Sequence, residues 1–249
     1  MQESGDNIKV VEGAFAILQK LFEHERMGVR ELGKSLGLPK TTIFRIIKTL
    51  VSLNIVEQDS DEQYRLGLAL SQYGTRVNNS LNVVTISSPI MKSLARELGE
   101  TINLGILYED QILIVHSEFG EPYTLQLILK PVTPLYCSSI GKLFLADMDE
   151  AARDRYFRQE LPKRTVNTIV TLKQFEAERK DIVAGGNAHD REEYEYGLSC
   201  VSAPIFGPDG KIAAALSVSG PTTRLSFKGI QRIEGLLRKA AKNVSKDAR

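Results

Sequence analysis

Long apolar runs are missing from this chain: no stretch reaches the ~18 consecutive apolar residues that a membrane-spanning helix needs. The opening segment MQESGDNIKV is polar and acidic where a secretory signal would be basic and then apolar, so no export signal is expected. Cysteine is scarce. Cys137 and Cys200 have no metal-binding or redox spacing, and two thiols in a chain of this size fit a reducing cytoplasm better than a disulfide framework. Net charge is scarce too, at +1 over 249 residues, so any contact with nucleic acid must come from clustered charge rather than abundant charge. Repeats and low-complexity tracts are absent from the sequence. The chain does hold 42% hydrophobic and 25% charged residues, enough to bury a core in one or two domains.

Apolar periodicity predicts a helix over 8–24, with Val10, Val11, Ala14, Ile17, Leu18, Leu21 and Phe22 on a face wide enough for a core and a partner chain together. A short helix over 30–36 ends at Gly37, and Pro39 opens another running to about Leu53. Two β-like runs, 55–58 and 64–66, flank the turn-rich DSDEQ segment. Helical spacing returns over 68–80 and again over 83–98, the latter interrupted by Pro89. The composition changes between about 78 and 88, which divides the chain into residues 1–80 and 81–249. Beyond it the expected order is strands at 102–108, 111–116 and 123–129, helices at 140–158 and 172–187, a hairpin at 198–219 and a helix at 226–243. The fold class is therefore α+β in two domains.

Two short helices joined through Leu36-Gly37-Leu38-Pro39 and followed by a hairpin make a winged helix-turn-helix pattern. On a helical wheel, Ile43, Ile46, Ile47, Leu50 and Leu53 share one side of the third helix, and Thr41, Arg45, Lys48 and Ser52 share the other. Cations neutralise phosphates and bind guanine edges, while hydroxyls donate to phosphate or base. Between Arg26 and Val56 six basic residues (Arg26, Arg30, Lys34, Lys40, Arg45, Lys48) face one acid, Glu31. The DNA-contacting set is thus Arg30, Lys40, Thr41, Thr42, Arg45, Lys48 and Ser52. A solvated polar helix face is the plainer alternative.

In the hairpin at 198–219, Gly207-Pro208-Asp209-Gly210 supplies the turn. If Phe206 pairs with Lys211, Cys200 lies opposite Ser217 and Leu198 opposite Ser219. One face then carries Cys200, Ser202, Ala213, Ala215, Ser217 and Ser219. The other carries Val201, Ala203, Ile205, Ile212, Ala214, Leu216 and Val218. The small, weakly polar face suits either a ligand or a close-packed covering helix. Upstream, CSSIGKLFLA at 137–146 feeds a loop into a helix N-terminus, where free N–H groups attract anions.

The segments LGLPKTTIFRIIKTLVSLNIVEQ (36–58), YRLGLAL (64–70), CSSIGKLFLA (137–146) and REEYEYGLSCVSAPIFGPDGKIAAALSVSGPTTRL (191–225) together resemble the IclR-type bacterial transcription regulators. That resemblance implies a winged helix-turn-helix, a linker helix and a GAF/PAS-like effector domain. It also implies binding to palindromic double-stranded operators as a dimer, or a tetramer built as a dimer of dimers. In members that bind small organic acids, the matching positions here are Ser139, Ile140 and Gly141 at the helix start, then Asp190, Cys200, Ser217 and Ser219. Around Asp190 the segment GGNAHDREEYEYG departs from the family pattern of a glycine and an aromatic residue. The expectation is a cytoplasmic, cofactor-free regulator, a repressor more readily than an activator. His189, Asp190 and Cys200 lack metal-ligand spacing, and no metal is expected.

Two other readings compete. Cys200 with His189 or His116 would make a nucleophile–base pair in a hydrolase, although no nucleophile elbow or oxyanion loop accompanies it. Alternatively, the C-terminal domain would be a dimerisation module without a ligand.

Overall fold

The computed structural model describes residues 8–120 and 131–247, and the chain divides between Val77 and Asn78 into two units. In the first, α1 (Lys9–Glu23), α2 (Val29–Leu36) and α3 (Lys40–Ser52) precede a hairpin of β1 (Val56–Gln58) and β2 (Tyr64–Leu66), after which α4 (Ala69–Ser80) begins. Ile17, Leu21, Leu32, Ile43, Ile46, Ile47 and Leu50 meet with Val56 and Tyr64 in one core, as the periodicity requires. Gly37, left-handed at φ 64°, ends α2, and Pro39 sits at the N-cap of α3. Glu31, the lone acid of the basic segment, accepts from the Gly28 N–H and caps α2. Leu53 departs from the wheel: it lies just past the last turn of α3 and is exposed. In the wing turn, the Asp59 carboxylate accepts from the N–H groups of Asp61 and Gln63.

The second unit is built on a six-stranded antiparallel sheet in the order β5-β4-β3-β8-β7-β6. Its strands are β3 (Thr101–Tyr108), β4 (Gln111–Glu118), β5 (Val132–Pro134), β6 (Ala188–Arg191), β7 (Leu198–Phe206) and β8 (Ile212–Pro221). One face packs on α5 (Asn82–Leu98), which runs through Pro89 without a break, and on α10 (Ile230–Asp247), burying Ile102, Leu104, Val201, Ala203, Leu216 and Val218. The opposite face is covered by α6 (Ser139–Asp147), with α7 (Glu150–Phe157) and α8 (Leu172–Gly185) beyond; α9 (Thr222–Lys228) follows β8.

Several expectations need correction. The hairpin register differs: Phe206 pairs with Ile212 rather than Lys211, Cys200 with Ser219 rather than Ser217, and Leu198 with Pro221 rather than Ser219. The Gly207 N–H bonds the Lys211 carbonyl, lengthening the loop by a residue, and a bulge beside Phe206 leaves Ala213 unpaired. The two shifts sum to two, an even number, so the faces of residues 214–219 survive. Ile212, beyond the bulge, turns to the α6 side instead of the α5–α10 side. The stretch 140–158 is two helices, because Asp149 caps a new one. The terminal helix is preceded by α9, separated from it by Gly229 at φ 86°. Strands β5 and β6 are additional, and the run at 123–129 lies outside the described residues. No helix among the described residues is long and apolar enough to cross a membrane.

Candidate functional sites

On α3 the residues Lys40, Thr41, Arg45, Lys48 and Ser52 are exposed, and Arg30 is exposed on α2. Among the described residues none of Arg30, Lys34, Lys40, Arg45 and Lys48 forms an ion pair; in the same segment Arg26 approaches Asp59 at 3.8 Å. These cations are therefore not tied up in ion pairs among the described residues, although Glu31, Asp61 and Glu62 line the same groove as Arg30 and Lys40. Two hydroxyls are less open. Thr42 is half-buried beside Val10, Val11 and Ala14 of α1, and Ser52 donates back to the Thr49 carbonyl. Sequence reasoning passed over Phe44, which is 50% exposed on the same side of α3. Its signal was present: positions 41, 44, 45 and 48 follow the i, i+3, i+4, i+7 spacing of one helix face.

In the second unit, Ser139, Ile140, Asp190, Cys200 and Ser217 line one cavity with Ile114, Thr133, Ser138 and Tyr194. Gly141 and Ser219 are adjacent but differently engaged. Gly141 lets α6 lie against β5 and its exit: a Cβ there would come within 2.3 Å of the Leu135 Cα. Its N–H is taken by the Ser138 hydroxyl, which itself donates to the Pro134 carbonyl. The first-turn N–H groups of Ser139 and Ile140 have no acceptor within the helix. Ser219 belongs to a chain of hydrogen bonds across the strands. Ser117 donates to Asn103 Oδ1 (2.8 Å), Asn103 donates to Ser219 Oγ (3.1 Å), and Ser219 Oγ meets Cys200 Sγ at 3.2 Å. The Ser217 hydroxyl is buried and makes no hydrogen bond among the described residues.

Asp190 is the electrostatic centre of this cavity. Burial pushes its carboxyl up from 3.8 to about 7, assisted by the nearby Glu193 and opposed by the Glu193 and Tyr194 N–H groups and by Lys142. Lys142, fully buried on α6, is neutralised by Glu193 (2.5 Å) and Glu178 (2.9 Å). Tyr194 is held by Arg164, whose guanidinium lies 4.0 Å from the ring centre and donates to the Tyr194 carbonyl. The cavity measures only about 20 Å³, room for about one water molecule. Larger grooves lie between α5 and α10, lined by Ser93, Glu97, Lys239 and Asn243 among apolar residues, and beside the end of β7, lined by Arg238, Lys242, Ser245 and Lys246.

The nucleophile–base reading fails on geometry. His189 pairs with Val201 and bonds Glu234 of α10 at 3.0 Å, on the far side of the sheet from Cys200. His116 is bonded to Glu118 at 3.0 Å. Burial drives the Cys200 thiol far above its ordinary range, so no thiolate is available at neutral pH. Among the described residues no group of histidine, cysteine and carboxylate side chains could hold a metal ion.

Comparison with known proteins matches residues 10–60 to the IclR helix-turn-helix domain and residues 75–246 to the bacterial transcriptional regulator IclR C-terminal domain. The chain is 32% identical to the HTH-type transcriptional regulator KdgR of Escherichia coli (strain K12), over 98% of this chain and 94% of that protein. It is 30% identical to the HTH-type transcriptional repressor AllR of Klebsiella pneumoniae, over 95% and 89% respectively. Among solved structures, an IclR transcriptional regulator from Alicyclobacillus acidocaldarius superposes with a TM-score of 0.87 at 24% identity, covering 98% of this chain and all of that one. An IclR homolog from Microbacterium hydrocarbonoxydans, complexed with 4-hydroxybenzoate, superposes at 0.81 with 20% identity, covering 96% and 99%.

Proposed function

The chain belongs to the IclR family of bacterial transcriptional regulators, a DNA-binding regulator and not an enzyme, and on that premise we propose that it represses its target genes until a small organic acid is bound. The observation that carries the ligand is the Ser217 hydroxyl, a buried polar group with no protein partner among the described residues, facing the cavity that Asp190 and the start of α6 also face. A hydroxyl with no protein partner must bond a water or a ligand, or else stay unsatisfied at a cost of about 1–3 kcal/mol. In this reading the N–H groups of Ser139 and Ile140 hold the carboxylate. Ser217 donates to the same ligand, and Asp190, whose proton is retained by burial up to about pH 7, adds a donor in its protonated form instead of a repelling charge. Ser219 and Cys200 form the floor. Repression is supported by the repressor AllR among the relatives, and an acid ligand by the 4-hydroxybenzoate bound to a structural neighbour.

The cavity is too small for any organic acid as it stands, so binding must move its wall. Coupling to DNA follows from that movement: the ligand shifts operator affinity by no more than its preference for the opened state, typically about 1–3 kcal/mol. The regulator acts in the cytoplasm on a roughly palindromic operator, as a homodimer or a dimer of dimers. The exposed Val10, Val11, Phe15 and Phe22 of α1, beside the apolar groove that Ile46, Leu50 and Leu53 share, are the contact proposed between two copies. A thermal-shift screen of small carboxylates tests the sensing reading. Saturable stabilisation without turnover is expected from at least one of them. No stabilisation by any acid would favour a ligand-free dimerisation module.

A further inference from the structure

We propose that Phe44 reads a thymine by its C5 methyl group, giving the operator an apolar determinant beside the polar ones supplied by Arg45 and Thr41. The inference rests on the reading of α3 as the helix that enters the major groove. Phe44 is half exposed on a surface where almost every other side chain is charged or hydroxylated. It lies one turn along from Thr41 and next to Arg45, on the N-terminal half of α3, the part of a recognition helix that reaches base edges. Around it a groove runs from the start of α2 to the wing, and its charged lining is mixed: Arg30 and Lys40 on the helices, with Glu31 on α2 and Asp61 and Glu62 in the wing turn. Of these groups only Arg30 and Lys40 match a phosphate backbone. The ring itself matches nothing on a phosphate.

An exposed phenyl group gains nothing from water, and Ile43, Ile46 and Ile47 already fill the core side of the helix. In the major groove the one apolar feature of a base pair is the thymine methyl, and phenylalanine is among the side chains that contact it. Phe44 therefore adds a preference for A·T at one position of each half-site. Uracil lacks that methyl but keeps the pairing, which isolates the contact.

The test uses the full-length protein and the operator it selects from random duplexes. Each thymine is replaced in turn by deoxyuridine, and affinity is measured for the wild type, Phe44→Ala and Phe44→Leu. One position in each half-site should weaken wild-type binding about fourfold, the contribution of one buried methyl. Phe44→Ala should bind the thymine operator as weakly as the wild type binds the uracil one, and should be indifferent to the replacement. Phe44→Leu should keep part of the discrimination. A folded Phe44→Ala protein with unchanged sensitivity, or a wild type sensitive at no thymine, overturns the proposal. Arg45→Ala in the same assay separates the two layers: if it alters base preference while Phe44→Ala does not, α3 still reads DNA and only the thymine contact falls.

Discussion

Ser217 and Ser219 look equivalent in sequence, two small polar residues on one face of β8, and the structure separates them. Ser219 is tied to Asn103 and Cys200, whereas Ser217 faces the cavity with no bond to the described residues. Ser217→Ala should weaken acid binding by roughly 1–2 kcal/mol with little loss of stability, since it breaks no hydrogen bond to the described residues. Ser219→Ala should mainly lower the unfolding midpoint. Calorimetric titration and urea denaturation of both variants check the contrast, and equal effects on affinity would place the ligand elsewhere. Alternation along a strand made the shared face legible. It could not reveal which hydroxyl a distant Asn103 would claim.

Asp190 makes a prediction in pH. Its folded value near 7 lies above the ordinary 3.8, so the folded state holds this proton more tightly than the unfolded chain. The associated stability is complete below about pH 4 and is lost as pH rises through about 7, on the order of 2–4 kcal/mol in all. Asp190→Asn preserves an acceptor for the Glu193 and Tyr194 N–H groups and removes the proton. The difference in unfolding free energy between variant and wild type should therefore grow in the variant's favour from about pH 5 to about pH 8. A constant difference would mean that Asp190 is ionised throughout.

At the scale of elements, the helices of the first unit were legible because each has one apolar stripe and clear end signals: Gly37 stops α2 and Pro39 starts α3. The proposed recognition face is the side of α3 opposite that stripe. Arg45→Ala should cost roughly 1–3 kcal/mol of operator affinity and relax preference at one base pair, while Lys48→Ala should weaken all sequences alike and flatten the salt dependence. Binding isotherms at several salt concentrations distinguish the two; unchanged affinity in both would remove α3 from the groove. Strands β5 and β6 escaped because three or four residues, one strand ending in Pro134 and the other holding His189, Asp190 and Arg191, show no apolar alternation. The bulge that leaves Ala213 unpaired escaped for another reason: the turn residues signal a hairpin but carry no mark of an extra residue in one strand. The packing of α6 was likewise hidden. Gly141 marks a place where backbone meets backbone, and Gly141→Ala should cost about 1–3 kcal/mol or more, read from thermal unfolding.

For the whole molecule, the two-part organisation came from a change of composition, and the family from four motifs spread over both parts. The narrowness of the cavity was legible in neither, since it depends on how Ile140 of α6 and Tyr194 meet Ile114 of β4 around a face whose polarity alone suggested open space. That closure is also what makes a switch possible, because a ligand that must open a wall favours one state over another. The most direct measurement is operator affinity of the wild type and Ser217→Ala across a titration of an acid that stabilises the wild-type protein. The predicted result is a saturable, roughly 5–150-fold loss of wild-type operator affinity, displaced to higher acid concentration in Ser217→Ala. Operator affinity that stays constant while the acid saturates its site would contradict it.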